Sequence, residues 1–186
     1  AFRGAVRGEQ ALGIDAGRQT VLERTAVLFT ETGVEIRFTL NLPARGRTIL
    51  GHQARKLICD VLPEAVLAAG TARKLDLDAL EEHMAAVEDQ HALRNALAAQ
   101  GLVAFVGNDA VLARQSGIDD RPLDDAIPFQ SPESLNVRID TPNAGTLAGM
   151  GVPKGITLVV GGGFHGKSTL LSAISEGVYD HIPGDG

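Results

Sequence analysis

In the stretch GVEIRFTLNLP every second position is apolar, so Val34, Ile36, Phe38 and Leu40 share one face of a half-buried strand that Pro43 ends. With TAVLFT just before it, the pattern predicts a hairpin. The period then changes. From Thr48 to Leu62 the apolar residues Leu50, Ala54, Leu57, Ile58 and Val61 recur at helical spacing, Pro63 predicts an interruption, and VLAAG closes the segment at Gly70. A longer helix is predicted from Asp76 to Gln100. Its stripe is Leu80, Met84 and Val87, extended by Leu93 and Leu97, with Gly101 as the C-cap.

LVAFV, from Leu102 to Val106, reads as a buried strand. Residues 107–132 are rich in Asp, Gly, Pro and Ser, which makes them a loop-rich connector and the expected domain boundary. Beyond it SLNVRIDTP alternates again, with Leu135, Val137 and Ile139 on one face, and NAGTLAGMG reads as a turn and a short strand. GITLVV is a continuous apolar run, expected to enter the glycines after it as a strand. No internal repeat or low-complexity tract interrupts this order of strands and helices, which is that of an α/β protein.

Composition narrows the picture. The 186 residues, 44% of them hydrophobic, suffice for one domain, or for one domain and a piece of another. The apolar runs are too short to cross a bilayer, and AFRGAVRGEQ does not resemble a signal peptide, so no membrane is expected and a cytoplasmic location is the default. Cys59 lies in the apolar pattern of RTILGHQARKLICDVL and reads as a buried structural thiol rather than a reactive one. A net charge of −6 argues against broad, non-specific binding to nucleic acid. It leaves room for a local basic patch. Arg3, Arg7, Arg18 and Arg24 form one basic stretch, Arg45, Arg47, Arg55 and Lys56 a second, and acids concentrate between Asp76 and Asp125; a solvated mixed surface is the plainer reading.

The chemistry is concentrated near the C-terminus, in ITLVVGGGFHGKSTLL. Gly161, Gly166, Lys167 and Ser168 satisfy G-x-x-x-x-G-K-[ST], with an apolar run before the pattern and a short helical run, KSTLLSAISEG, after it. Glycines let a chain wrap closely around phosphate oxygens with N–H groups pointing inward, and a helix N-terminus adds favourable partial charge. The expected phosphate-binding loop comprises Gly161, Gly162, Gly163, Phe164, His165, Gly166, Lys167, Ser168 and Thr169. Lys167 is the expected catalytic cation reaching the β- and γ-phosphates, Ser168 the hydroxyl ligand of Mg²⁺, and Thr169 a further phosphate contact. His165 is expected to pack or cap rather than transfer protons. His83 and His91, eight residues apart, make a poor ligand pair, so Mg²⁺ bound with nucleotide is the sole metal expected.

The flanks of the loop carry a resemblance. ILGHQARKLICDVLP, VEDQHALR, GLVAFV, SGIDDRPL, PFQSPESL, GMGVPKGITLVVGGGFHGKSTLL and GVYDHIPGDG run along nearly the whole chain. Together they resemble the ATPases of the ABC class, a soluble family distinct from the transporters. The resemblance implies a family-specific α+β N-terminal domain over 1–129 and the beginning of an ABC-type ATPase domain over 130–186. The chain departs from the common ABC loop at Phe164 and His165, where glycine and a small residue are usual.

The resemblance implies ATP and Mg²⁺ as ligands and ATP hydrolysis as the activity of the longer protein, and it leaves open a homodimer through the ABC-type domain. A glutamine loop, signature motif, acidic strand-end pair and switch histidine do not come after the loop here. A parallel P-loop sheet needs crossovers of a dozen or more residues, which the fifteen residues after Leu171 cannot supply. The chain is therefore expected to be the N-terminal part of a longer protein and inactive by itself. The alternative is a nucleotide-switched module that binds nucleic acid, RNA in particular, or protein, resting on the N-terminal arginines. Two smaller readings stay open: Asp119, Asp120 and Arg121 form a salt-bridged turn or reach the nucleotide, and Phe129 packs in the core or stacks on adenine.

Overall fold

The computed structural model describes residues 12–71 and 75–186. Arg3 and Arg7 of the first basic stretch, with Arg73 and Lys74, lie outside the described residues. Helices and strands are mixed, as an α/β protein requires, and every strand pairing among the described residues is antiparallel. Two compact units are present. One comprises the residues before Arg18 together with Glu23–Leu77; the other joins Arg18–Leu22 to Asp78–Gly186.

In the first unit β1 (Leu12–Gly13) begins the described chain, and β2 (Thr20–Val21) leaves it for the second unit. The expected hairpin forms from β3 (Val27–Thr30) and β4 (Gly33–Ile36), with Phe29 opposite Val34 and Val27 opposite Ile36. The alternating face does not stay together as one strand. β4 ends at Ile36, and β5 (Thr39–Leu40) turns to pair with β1, so Phe38 and Leu40 reach the core while Val34 is 54% exposed. β6 (Ala44–Arg45) and β7 (Thr48–Ile49) make a second small hairpin whose arginines, Arg45 and Arg47, are exposed.

The helix predicted to break at Pro63 does not break. α1 (Gly51–Lys56) passes through a π-helical turn, Leu57–Val61, into α2 (Leu62–Gly70), with Pro63 in the first turn of α2. Proline lacks an N–H and its ring crowds the carbonyl four residues earlier, and the widened π register just before it relieves both. The core of this unit is Leu12, Leu57 and Ala65, with Ile14, Phe38, Leu40, Val61, Leu62 and Ala69 packed against them. Burying Leu12 or Leu57 contributes about 2 kcal/mol each. Cys59 corrects the expectation of a buried thiol: on this helix the inward positions are Ala54, Leu57 and Ala65, which leaves Cys59 exposed beside Ile58.

In the second unit α3 (Leu77–Ala99) is the predicted long helix, and Gly101, at φ +70°, lies just past its end. Its expected apolar stripe is only half covered, since Leu80 and Met84 are about half exposed. The one buried residue of α3 is instead Asp89, which accepts hydrogen bonds from the Asn143 N–H (2.8 Å), the Asn143 Nδ2 (3.1 Å) and the Ala144 N–H (2.8 Å). A carboxylate in so dry a place is tolerated because it satisfies the tip of a hairpin.

That hairpin joins β11 (Asn136–Thr141) to β12 (Gly145–Pro153), and β12 pairs on its other edge with β8 (Leu102–Gly107). β9 (Arg114–Ser116) and β10 (Asp119–Pro122) form a separate hairpin. Leu102, Val106, Ile139 and Met150 are buried, but β8 is half-buried rather than buried throughout, with Val103 57% exposed. β12 is nine residues long, more than the short strand expected. The join expected at 129/130 falls inside this unit, with β8 on one side of it paired to β12 on the other.

At Gly149 β12 lies close against β8: a Cβ there would lie 2.3 Å from the Val106 carbonyl oxygen and 2.8 Å from the Gly107 Cα. Backbone on both sides cannot yield, so Gly149→Ala is expected to destabilise the second unit by about 2 kcal/mol or more in urea denaturation.

Candidate functional site

The phosphate-loop sequence ends in α4 (Lys167–Glu176), the short helix predicted after it. Gly166 stands at its N-cap with φ +74°, a left-handed conformation that an L-residue adopts at a cost of about 1 kcal/mol. No side chain caps this end, so the N–H groups of Lys167, Ser168 and Thr169 have no partner inside the helix. The Lys167 Nζ folds back to donate to the Gly161 carbonyl at 2.7 Å and to the Gly162 carbonyl. The first turn of α4 thus carries one cation and three N–H groups without a partner in the helix. That donor set is of the kind that suits an anion with several oxygens.

The side chains between Gly161 and Gly166 divide by direction. His165 is exposed but lies against the loop glycines, its ring 3.4 to 3.7 Å from where a Cβ on Gly162 would sit. Phe164 takes φ +62° and is fully exposed. Phe164 thus carries its ring on a left-handed backbone, a conformation that costs a bulky residue about 1 to 2 kcal/mol. Ser168 is exposed in the first turn of α4 beside Lys167. Its hydroxyl suits Mg²⁺ already held by phosphates, and no group of three or more His, Cys, Asp or Glu able to hold a metal occurs among the described residues.

The strand expected before the loop is not formed. Residues 156–160 pair with no other strand among the described residues, and Ile156, Leu158 and Val160 are exposed. A strand exists only through its hydrogen-bonded neighbours, and an apolar run alone cannot supply them. Phe129 is held elsewhere: its N–H donates to the Ala110 carbonyl and its carbonyl accepts from the Asp109 N–H, both at 2.8 Å. The side chain is half-buried there.

A second polar constellation lies at the far end of α4, and sequence reading missed it. β13 (Asp180–His181) pairs with β2 on one edge. On the other, Gln90 of α3 donates through Nε2 to the His181 carbonyl (3.0 Å) and accepts the His181 N–H through Oε1 (2.8 Å). One side-chain amide thus takes the place of a neighbouring strand. Arg94, one turn further along α3, donates to the Tyr179 carbonyl (3.2 Å) and to the Asp180 carboxylate, and His91 Nε2 lies 3.0 Å from the same carboxylate. Burial raises the Asp180 pKa, but the hydrogen bonds from Arg94 and then His91 outweigh it and hold the carboxyl below its ordinary value.

Asp185 closes the segment. Its side chain is 5% exposed and accepts a two-pronged bond from Arg114 of β9 (2.7 and 3.1 Å), a bond from Gln19 Nε2 (2.7 Å), and a contact from His181 Nδ1 (2.6 Å). The available signal was an i, i+4 His–Asp pair inside HIPGD, beside a glycine turn.

Asp119 and Arg121 form the salt-bridged turn that was one of the two readings of SGIDDRPL. Bonds from the Arg121 side chain, then from its N–H, hold the half-buried Asp119 carboxyl at about 2, below the ordinary 3.8. Of the basic residues weighed for nucleic acid, Arg18 donates to the Ile118 carbonyl and Arg24 pairs with Asp15, while Arg55 and Lys56 are exposed. No helix among the described residues is long and apolar enough to cross a membrane.

Comparison with known proteins agrees with the loop chemistry. The P-loop domain model of the ABC ATPase family matches residues 76–186, and the model for the N-terminal part of ATPases of the ABC class matches residues 4–71. An uncharacterised protein of Methanocaldococcus jannaschii is 34% identical over 122 residues, which are 61% of this chain and 27% of that relative. The chain thus aligns with about a quarter of the relative's length.

Proposed function

Because the chain belongs to the P-loop ATPases of the ABC class, we propose that it binds ATP with Mg²⁺ through the loop Gly161–Thr169, and that the full-length protein hydrolyses the nucleotide. The observation that carries this reading is that the first turn of α4 supplies one ammonium and three N–H groups without a partner in the helix. On phosphate binding, Lys167 would exchange the Gly161 and Gly162 carbonyls for phosphate oxygens, and the free N–H groups of Lys167, Ser168 and Thr169 would orient them. Ser168 would hold the Mg²⁺, which would supply charge neutralisation for the nucleotide's phosphates. His165, lying against the glycines, supports the shape of the loop.

Phosphoryl transfer rests on positioning and electrostatics, so recognition of the phosphates is the first requirement. Isothermal titration of the full-length protein should show that MgATP binds and that inorganic tripolyphosphate competes with it. Failure of both to bind would remove the proposal.

A further inference from the structure

We propose that Gln90 and Arg94 of α3 are positioning residues for the phosphate loop, acting on it through α4. The inference rests on the nucleotide reading above and adds to it two residues that lie far from the loop in sequence.

The loop has few fixings of its own. The last backbone hydrogen bond before it is from the Lys154 N–H to the Gly101 carbonyl, and residues 155–166 are exposed apart from the bonds that Lys167 returns to Gly161 and Gly162. The segment on the C-terminal side of the loop is held differently. α4 is ten residues long, about 15 Å of stiff rod. Three residues past its end, Gln90 and Arg94 grip Tyr179, Asp180 and His181 through both backbone and side chain. A rod fixed at one end carries the orientation of its other end, and that other end is where Lys167 and the free N–H groups sit.

The residue types suit the task. The Gln90 carboxamide supplies a donor and an acceptor in one plane, so it fixes the His181 peptide in both translation and rotation. The Arg94 fork does the same for Tyr179 and Asp180. Both project from one face of α3 at i, i+4 spacing, so they act on adjacent residues of the segment.

The test uses the full-length protein and compares MgATP affinity in Gln90→Ala, Arg94→Ala and Arg94→Lys, with Lys167→Ala as the loop control. Asp89→Ala serves as the stability control. It lies on the same helix and loses the hairpin tip rather than the segment after α4. Gln90→Ala and Arg94→Ala should each weaken MgATP binding about tenfold, with Arg94→Lys recovering part of the loss, while Asp89→Ala is destabilised yet binds as the wild type does. Equal affinity in the Gln90 and Arg94 variants, with Lys167→Ala defective, would overturn the positioning role and leave the nucleotide reading standing. A loss in Asp89→Ala matching that in Gln90→Ala would also overturn it, because general loosening would then account for both. Wild-type affinity in Lys167→Ala would bring down the nucleotide reading and this inference with it.

Discussion

Lys167→Ala in the full-length protein is expected to lower ATP turnover at least about 100-fold, the usual cost of removing one preorganised charge from a reacting centre. The expectation is specific because, among the described residues, the side chain's hydrogen-bond partners are the Gly161 and Gly162 carbonyls of the loop itself. Alanine also favours the first turn of α4 at least as well as lysine does. Circular dichroism and thermal unfolding should therefore be unchanged while steady-state hydrolysis disappears. A variant that turns over ATP at the wild-type rate would refute the assignment of the loop.

Asp185→Ala is expected to act in the opposite way, on stability first. The substitution leaves Arg114, itself only 29% exposed, facing the space its counter-charge filled, and takes an acceptor from Gln19 and His181. Stripping one partner from a buried ion pair costs about 3 kcal/mol. Asp185→Asn, which keeps one carbonyl acceptor, should lose less. The chain offers its own probe: it has one tyrosine and no tryptophan, and Tyr179 stands at the start of the affected segment. Its fluorescence during urea denaturation should report a lower midpoint. A change below about 0.5 kcal/mol would mean that the carboxylate is worth no more than a surface pair.

The parts legible in the sequence were those whose chemistry is local. Gly161, Gly166, Lys167 and Ser168 announce themselves within eight residues, and the hairpin at Thr30–Gly33 and the long helix before Gly101 emerge from patterns only slightly longer. The illegible parts depended on distant partners. Residues 156–160 have the composition of a strand, but pairing is a property of two segments, and periodicity describes one. Leu80 and Met84 lie on a correct helical stripe that tells which residues share a face without telling what covers it. Gln90 grips a residue 91 positions away, and no spacing rule links a glutamine in the middle of a helix to a dipeptide near the end of the chain. Cys59 shows the same limit in miniature, since its apolar neighbours Leu57 and Ile58 part company, one inward and one out.

β2 has a consequence for anyone who wishes to study the nucleotide-binding part in isolation. The family match to the P-loop domain begins at residue 76, which invites a truncation there. Such a polypeptide would lack Thr20 and Val21, the strand partners of His181 and Asp180, and Gln19, a partner of Asp185. One edge of β13 would be bare and prone to pair with other copies. Supplying residues 18–22 as a separate peptide, or fusing them through a flexible linker, would restore the missing strand. Here the practical unit of dissection is set by pairing rather than by the order of the chain.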